Sequence, residues 1–195
     1  MCNQIKKIAI FASGNGSNAE NIIKYFTGNE RVKIALILSN NPRAYVVERA
    51  QNHHIPYVVF TSKELKETPV VIDKLKEFDI DYIVLAGFLL LIPTTIIRAF
   101  PGRIINIHPA LLPKFGGKGM YGSFVHEAVR QSGDTETGIS IHFVNEKYDA
   151  GAVLFQARCV VTPEDTAETI AQKVHQLEYR YFPEIIEKVV AGKLL

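Results

Sequence analysis

Five short, almost continuously apolar runs dominate the first half of the chain: KKIAIFA, VKIALILS, PYVVF, DYIVLAG and RIINIH. A strand that is apolar at every position must be covered on both faces, and such strands separated by helices build a parallel sheet. The intervening segments have helical character. NAENIIKYFTG spaces Ile22, Ile23 and Phe26 along one face, and NPRAYVVERAQNH carries Pro42 where a helix can begin. Lys63 to Phe78 reads as a helical region broken at Pro69, and PTTIIRAF as a short helix. After residue 122 the grammar changes. GISIHFV alternates, and AVLFQARCVV follows too soon for a parallel crossover, which predicts an antiparallel pair. In TPED, Thr162 is the expected N-cap of a terminal helix with Pro163 at the first helical position, and Ile170, Val174, Leu177 and Tyr181 mark its apolar face. The expectation is one α/β domain over residues 1–195, its sheet mostly parallel with antiparallel late strands.

Composition narrows the classes of partner. With 195 residues, 47% of them apolar, the chain can bury a sizeable core. A net charge of +2 and the lack of a basic tract argue against nucleic acid. The longest apolar run, IVLAGFLLLIP, is far short of the roughly 20 residues that cross a bilayer. Cys2 and Cys159 make neither a disulfide framework nor a zinc spacing, so reduced thiols in a cytoplasmic protein are expected.

FASGNGSNAENII joins the first strand to the first helix. Gly14, Gly16 and Ala19 fit a dinucleotide-type turn, in which glycines let the backbone bend and helix N-terminal amides face an anion. A plain strand-to-helix turn capped by Ser17 or Asn18 is the alternative. The second strand ends LSNNPRA, without the acid that would hold a nicotinamide ribose, so the loop reads as a phosphate site.

The stretch INIHPALLPKFGGKGMYG ends a strand on Asn106 and His108 and continues as an irregular loop. Ligands of such sheets bind beyond the carboxyl ends of the strands, and alternation points both side chains to one side. His exchanges protons near neutral pH, and an Asn amide can stabilise a developing oxyanion. A loop histidine bonded to backbone is the competing account. His53, His54, His126 and His175 read as solvated, and His142 as either core or supporting. Asp149, in YDAG, is a turn aspartate or a carboxylate returning to support His108.

Taken together, ASGNGSNAENII, LAGFLLLIP, GRIINIHPALLPKFGGKG and GISIHFVNEKYDAGAVLFQ resemble the phosphoribosylglycinamide formyltransferases, within the wider formyltransferase family. The resemblance spans essentially the whole chain. It implies a Rossmann-like three-layer sandwich and transfer of a formyl group from 10-formyltetrahydrofolate, as cosubstrate, to the amine of 5'-phosphoribosylglycinamide in de novo purine (IMP) biosynthesis, with no metal. It implies Asn106, His108 and Asp149 as the catalytic trio, and Gly16, Ser17, Asn18 and Glu178 as contacts to the ribonucleotide. Lys63, Leu89, Leu90, Leu91, Ile92 and Asn106 are implied on the folate side. Periodicity alone reads Glu178 as a solvated helix residue. Lys63 stands where the family often has Arg, Leu90 where it is often basic, and GGKGMYGSFVHEAV differs from the more usual loop. The implied partners are small molecules, with no nucleic acid or membrane, for a monomer or homodimer. The related deformylase carries an added N-terminal domain and the methionyl-tRNA enzyme an added C-terminal one, neither of which this sequence is expected to have.

Overall fold

The computed structural model describes residues 4–194, so Cys2 lies outside the described residues. In chain order the elements are β1 (Lys6–Phe11), α1 (Ser17–Phe26), β2 (Val32–Ser39), α2 (Tyr45–Asn52), β3 (Tyr57–Val59), α3 (Ser62–Glu67) and α4 (Val70–Glu77). Then come β4 (Tyr82–Leu85), α5 (Thr94–Ala99), β5 (Ile104–His108), α6 (Ser123–Ser132), β6 (Glu136–Phe143), β7 (Val153–Val160) and α7 (Ala167–Val190). The strands form a seven-stranded sheet in the order β3-β2-β1-β4-β5-β6-β7. Internal contacts divide the chain into two compact units at Ile105/Asn106.

In the first unit β1 runs parallel to β2 and to β4, and β2 parallel to β3. Ile8, Ile10, Phe11, Leu36, Ile37, Leu38, Ile83 and Val84 are fully buried, as the two-sided apolar runs require. Each such side chain contributes about 1.5–3 kcal/mol by leaving water. Helix α1 buries Ala19, Ile22, Ile23 and Phe26, and α2 buries Val46 and Ala50. The helical region after β3 does break at Pro69, which is the N-cap of α4. Pro42, however, does not open α2. The Asn41 side chain accepts from Arg43 N–H in a local turn, and the helix begins only after Ala44.

In the second unit β6 and β7 are antiparallel, and α7 lies on them with Ile170, Val174, Phe182, Ile185, Ile186 and Val189 buried. Thr162 does not cap this helix. Its N–H donates to the Asp165 carboxylate, and α7 starts after Thr166, whose hydroxyl accepts from Thr169 N–H. Asp165 wins because a carboxylate accepts several donors at once, here also from Thr169 and Lys173. Helix α6, which periodicity does not announce, lies between two glycine caps, packs on α7 and buries Val125, His126 and Val129. His126 is therefore buried rather than solvated, and so is Glu178. Among the described residues no helix is long and apolar enough to cross a membrane.

Candidate active site

Strand β5 delivers Asn106 and His108 two residues apart, and the turn after β6 returns Asp149 to them. His108 is 3% exposed. Its Nε2 lies 2.7 Å from the Phe115 carbonyl, and its Nδ1 3.5 Å from Asp149 Oδ2. A carbonyl only accepts, so Nε2 carries a hydrogen, and in the neutral ring the lone pair sits on Nδ1 beside the carboxylate. The competing account of a loop histidine bonded to backbone thus describes one nitrogen of this ring, and Asp149 faces the other.

The irregular loop after β5 wraps this pair. Leu112 N–H donates to Ser140 Oγ, which in turn donates to the Ala110 carbonyl, and Gln156 Nε2 donates to the Leu112 carbonyl. Those bonds fix the loop's first half to β6 and β7. Farther on, Gly117 N–H donates to Asp149 Oδ2 at 2.9 Å. A Cβ on Gly116 would come within 2.5 Å of Leu112 Cδ2 and 3.3 Å of Asp149 Cβ, so a side chain here would require the Leu112 end to shift.

His142 holds Asn106. Its Nδ1 donates to the Phe143 carbonyl at 2.8 Å, which leaves Nε2 to accept from Asn106 Nδ2 at 3.1 Å. The amide is thereby turned with its NH2 group toward His142, and its second N–H stays available to a ligand. His142 Nε2 is also 3.6 Å from Asp149 Oδ1. A signal for this residue exists in the sequence: Ser140 and His142 alternate with Ile139 and Ile141 in β6, and polar groups buried on one face need partners.

Burial sets the electrostatics. It pushes His108 below the ordinary imidazole value, more strongly than the Asp149 charge, the Phe115 carbonyl and Glu178 pull it up. The nearby carboxylate therefore does not make this a more basic histidine, contrary to what Asp149 alone would do. Burial acts to raise Asp149, but His142, His108 and the Gly117 amide hold its carboxyl below the usual range. Glu178, on α7, is 4% exposed and bonded by His175 Nδ1 at 2.8 Å, and its field reaches both His108 and His126. Asn106, His142, Asp149 and His108 form one connected group, and the Glu178 charge acts on His108. Among the described residues no three His, Cys, Asp or Glu side chains come together to hold a metal ion.

The glycine loop belongs to the first unit. Gly16 is the residue before α1, with φ 73°, and a Cβ there would lie 2.6 Å from Val46 Cβ. Neither Ser17 nor Asn18 is the N-cap; both lie in the first turn, where backbone N–H groups have no intrahelical acceptor. Ser13 ties the loop down: its Oγ donates to Asn40 Oδ1 at 2.6 Å and accepts from Leu89 N–H at 3.0 Å. The same contact anchors the segment after β4. There Leu89 is 48% exposed, Leu90 and Leu91 are half-buried and Ile92 is buried, an apolar surface on irregular backbone. Lys63 stands exposed in the first turn of α3.

The family profile described as Formyl transferase matches residues 6–186, a span holding every one of these groups. The chain is a member of the formyl transferase family. Among its relatives is "Phosphoribosylglycinamide formyltransferase, chloroplastic" of Arabidopsis thaliana, 40% identical over 97% of this chain and 67% of the relative. The phosphoribosylglycinamide formyltransferase of Bacillus subtilis is 37% identical over 95% of both chains. Solved formyl transferase structures superpose closely. The phosphoribosylglycinamide formyltransferase of Anaplasma phagocytophilum gives a TM-score of 0.88 at 32% identity, covering 97% of this chain and 89% of that one. The enzyme of Bacillus halodurans gives 0.86 at 36%, covering 95% and 96%.

Proposed function

We propose that this chain transfers the formyl group of 10-formyltetrahydrofolate to the amine of 5'-phosphoribosylglycinamide, the formyl-transfer step of purine (IMP) biosynthesis. The observation that carries the reading is the buried His108 facing Asp149, beside an Asn106 amide aimed by His142, in a formyl transferase chain.

His108, held neutral by burial, takes a proton at Nδ1 as the amine nitrogen attacks the formyl carbon. The carbon–nitrogen bond forms, and the carbonyl π pair moves to oxygen. The free N–H of Asn106 and the new imidazolium stabilise that oxyanion, and Asp149 stabilises the imidazolium. The pair on oxygen then re-forms the carbonyl as the bond to the folate nitrogen breaks, and the proton passes to that nitrogen. In this reading Gly16, Ser17 and Asn18 bind the ribose phosphate at the helix N-terminus, and Glu178 contacts the glycinamide. Leu89 to Ile92, with Lys63, serve the folate. Holding both substrates in place supplies much of the acceleration. Cytoplasmic location and small molecules as the only partners are proposed with it, on composition.

Folate absorbance tests the proposal with 10-formyltetrahydrofolate, with and without the ribonucleotide. Release that needs the ribonucleotide and is lost in His108→Ala is expected. Release without it would mean that water accepts the formyl group, and no release in either case would remove the transferase reading.

A further inference from the structure

His175 sits at the solvent side of the site, on α7, and the proposed chemistry gives it no task. Its ring is 48% exposed, while the Glu178 carboxylate it bonds is 6% exposed. The bond runs from Nδ1 to Oε2 at 2.8 Å, one helical turn apart. Glu178 in turn acts on His108 and on the buried His126. A carboxylate this deep in the unit thus has a titrating partner open to water.

On its own helix Tyr179 stacks on His175 with ring centroids 6.1 Å apart, and from α6 the ring of His126 lies 6.4 Å away. Arg130 of α6 acts instead on Glu168. On β6 and β7, which also pack against α7, Glu136 pairs with Arg158 and His142 is bound to Asn106 and Phe143. Lys173 is paired with Asp165.

We propose that His175 is the positioning residue for Glu178: it fixes the carboxylate's orientation, and its own protonation sets how much negative charge Glu178 presents to a primary-amine substrate. The proposal rests on the formyl-transfer reading for the identity of that amine. As an imidazolium, His175 neutralises Glu178. As a neutral ring it still donates through Nδ1, and the carboxylate keeps its charge. Glu178 raises the proton affinity of His175 against the smaller effect of burial, so the change falls above the ordinary histidine value of 6.5, within the range where an enzyme of metabolism works.

The test has two arms. Proton NMR follows the His175 ring across pH in the wild-type chain and in Glu178→Gln. The inflection is expected above 6.5 in the first and lower in the second, and identical inflections would overturn the coupling. Steady-state kinetics then gives KM for phosphoribosylglycinamide against pH in the wild type, His175→Gln and His175→Ala. The substrate amine titrates alike in all three, so differences between profiles belong to the protein. The wild-type KM is expected to fall about five-fold through the His175 transition, the size of one modest interaction. His175→Gln keeps a neutral donor and should hold the low KM at both ends. His175→Ala should raise KM at high pH and leave kcat at saturation unchanged. A wild-type profile that superposes on that of His175→Gln, or a parallel loss of kcat, would overturn the proposal. Absence of any transfer to the amine in the wild type would remove the formyl-transfer reading and the amine role with it, and the NMR arm would still decide the coupling.

Discussion

His108 Nδ1 and Asp149 Oδ2 face each other at 3.5 Å, yet the imidazole is less basic than in water. The carboxylate favours the charged ring and burial disfavours it, and burial wins. In the proposed mechanism this arrangement keeps His108 ready to accept a proton at neutral pH and stabilises the cation once the proton has arrived. Asp149→Asn leaves burial less opposed. The variant should lose about 100-fold in kcat, and the acid inflection of kcat/KM, already below 6.5 in the wild type, should move lower still. A pH–rate profile checks both, and an upward shift would contradict this account of the pair.

In the proposed mechanism His142 acts through Asn106, whose amide it bonds. Its tautomer is set by the Phe143 carbonyl, so replacing the ring frees the Asn106 amide to turn. His142→Leu preserves an apolar filling for the strand but removes the acceptor at Nε2. A loss of about ten- to a hundred-fold in kcat is expected, since a misaimed oxyanion donor forfeits most of its effect. KM for the folate should change little. A kcat within twofold of wild type would mean that Asn106 is held by other groups.

The first five strands of this fold are legible in the sequence because each is apolar at nearly every position and too short for a helix, as in LILS after Ala35. The antiparallel hairpin shows through its short connection. Helix starts are less visible. Thr162 and Thr166 are both competent caps, and the choice falls to Thr166 only because Asp165 captures Thr162 first. His126 and Glu178 look solvated by residue type, and their burial comes from α6 lying on α7, a contact that local periodicity does not encode. Asn106 and His108 stand out as polar residues closing an apolar strand. The partners of His108 and Asp149 on the loop are the Phe115 carbonyl and the Gly117 amide, and backbone groups carry no residue-type signal.

Gly16 tests the anion loop. Its positive φ and the 2.6 Å approach to Val46 Cβ are separate obstacles to any side chain. Gly16→Ala should destabilise the chain by about 1–3 kcal/mol and raise KM for the ribonucleotide more than KM for the folate. Adding Val46→Ala removes Cγ2 but leaves the Cβ at 2.6 Å and the backbone strain, so thermal melts of the pair should recover only part of the loss. Full recovery would show that the left-handed backbone costs nothing at this position.

Behind that loop Glu20 gathers three nitrogen partners: His53 Nε2 at 2.9 Å, Lys24 Nζ at 3.0 Å and an Arg49 nitrogen at 3.2 Å. Burial alone would raise this carboxyl, but His53, Lys24 and Arg49 hold it down at about 2. A carboxyl whose folded value lies below its unfolded one stabilises the fold only while ionised. The contribution is complete above the ordinary value of 4.5 and disappears as pH falls from there toward 2. Glu20→Gln should therefore melt lower than wild type at neutral pH, and the two melting curves should converge as the pH approaches 2. Added salt should narrow the neutral-pH difference, because Lys24 is 67% exposed and is screened. The variant also loosens Arg49, whose Nε and Nη2 each bond Asn15 at 2.9 Å, so KM for the phosphate-bearing substrate should rise with the loss of stability. A gap in melting temperature that stays constant with pH would mean that Glu20 acts through packing rather than through its charge.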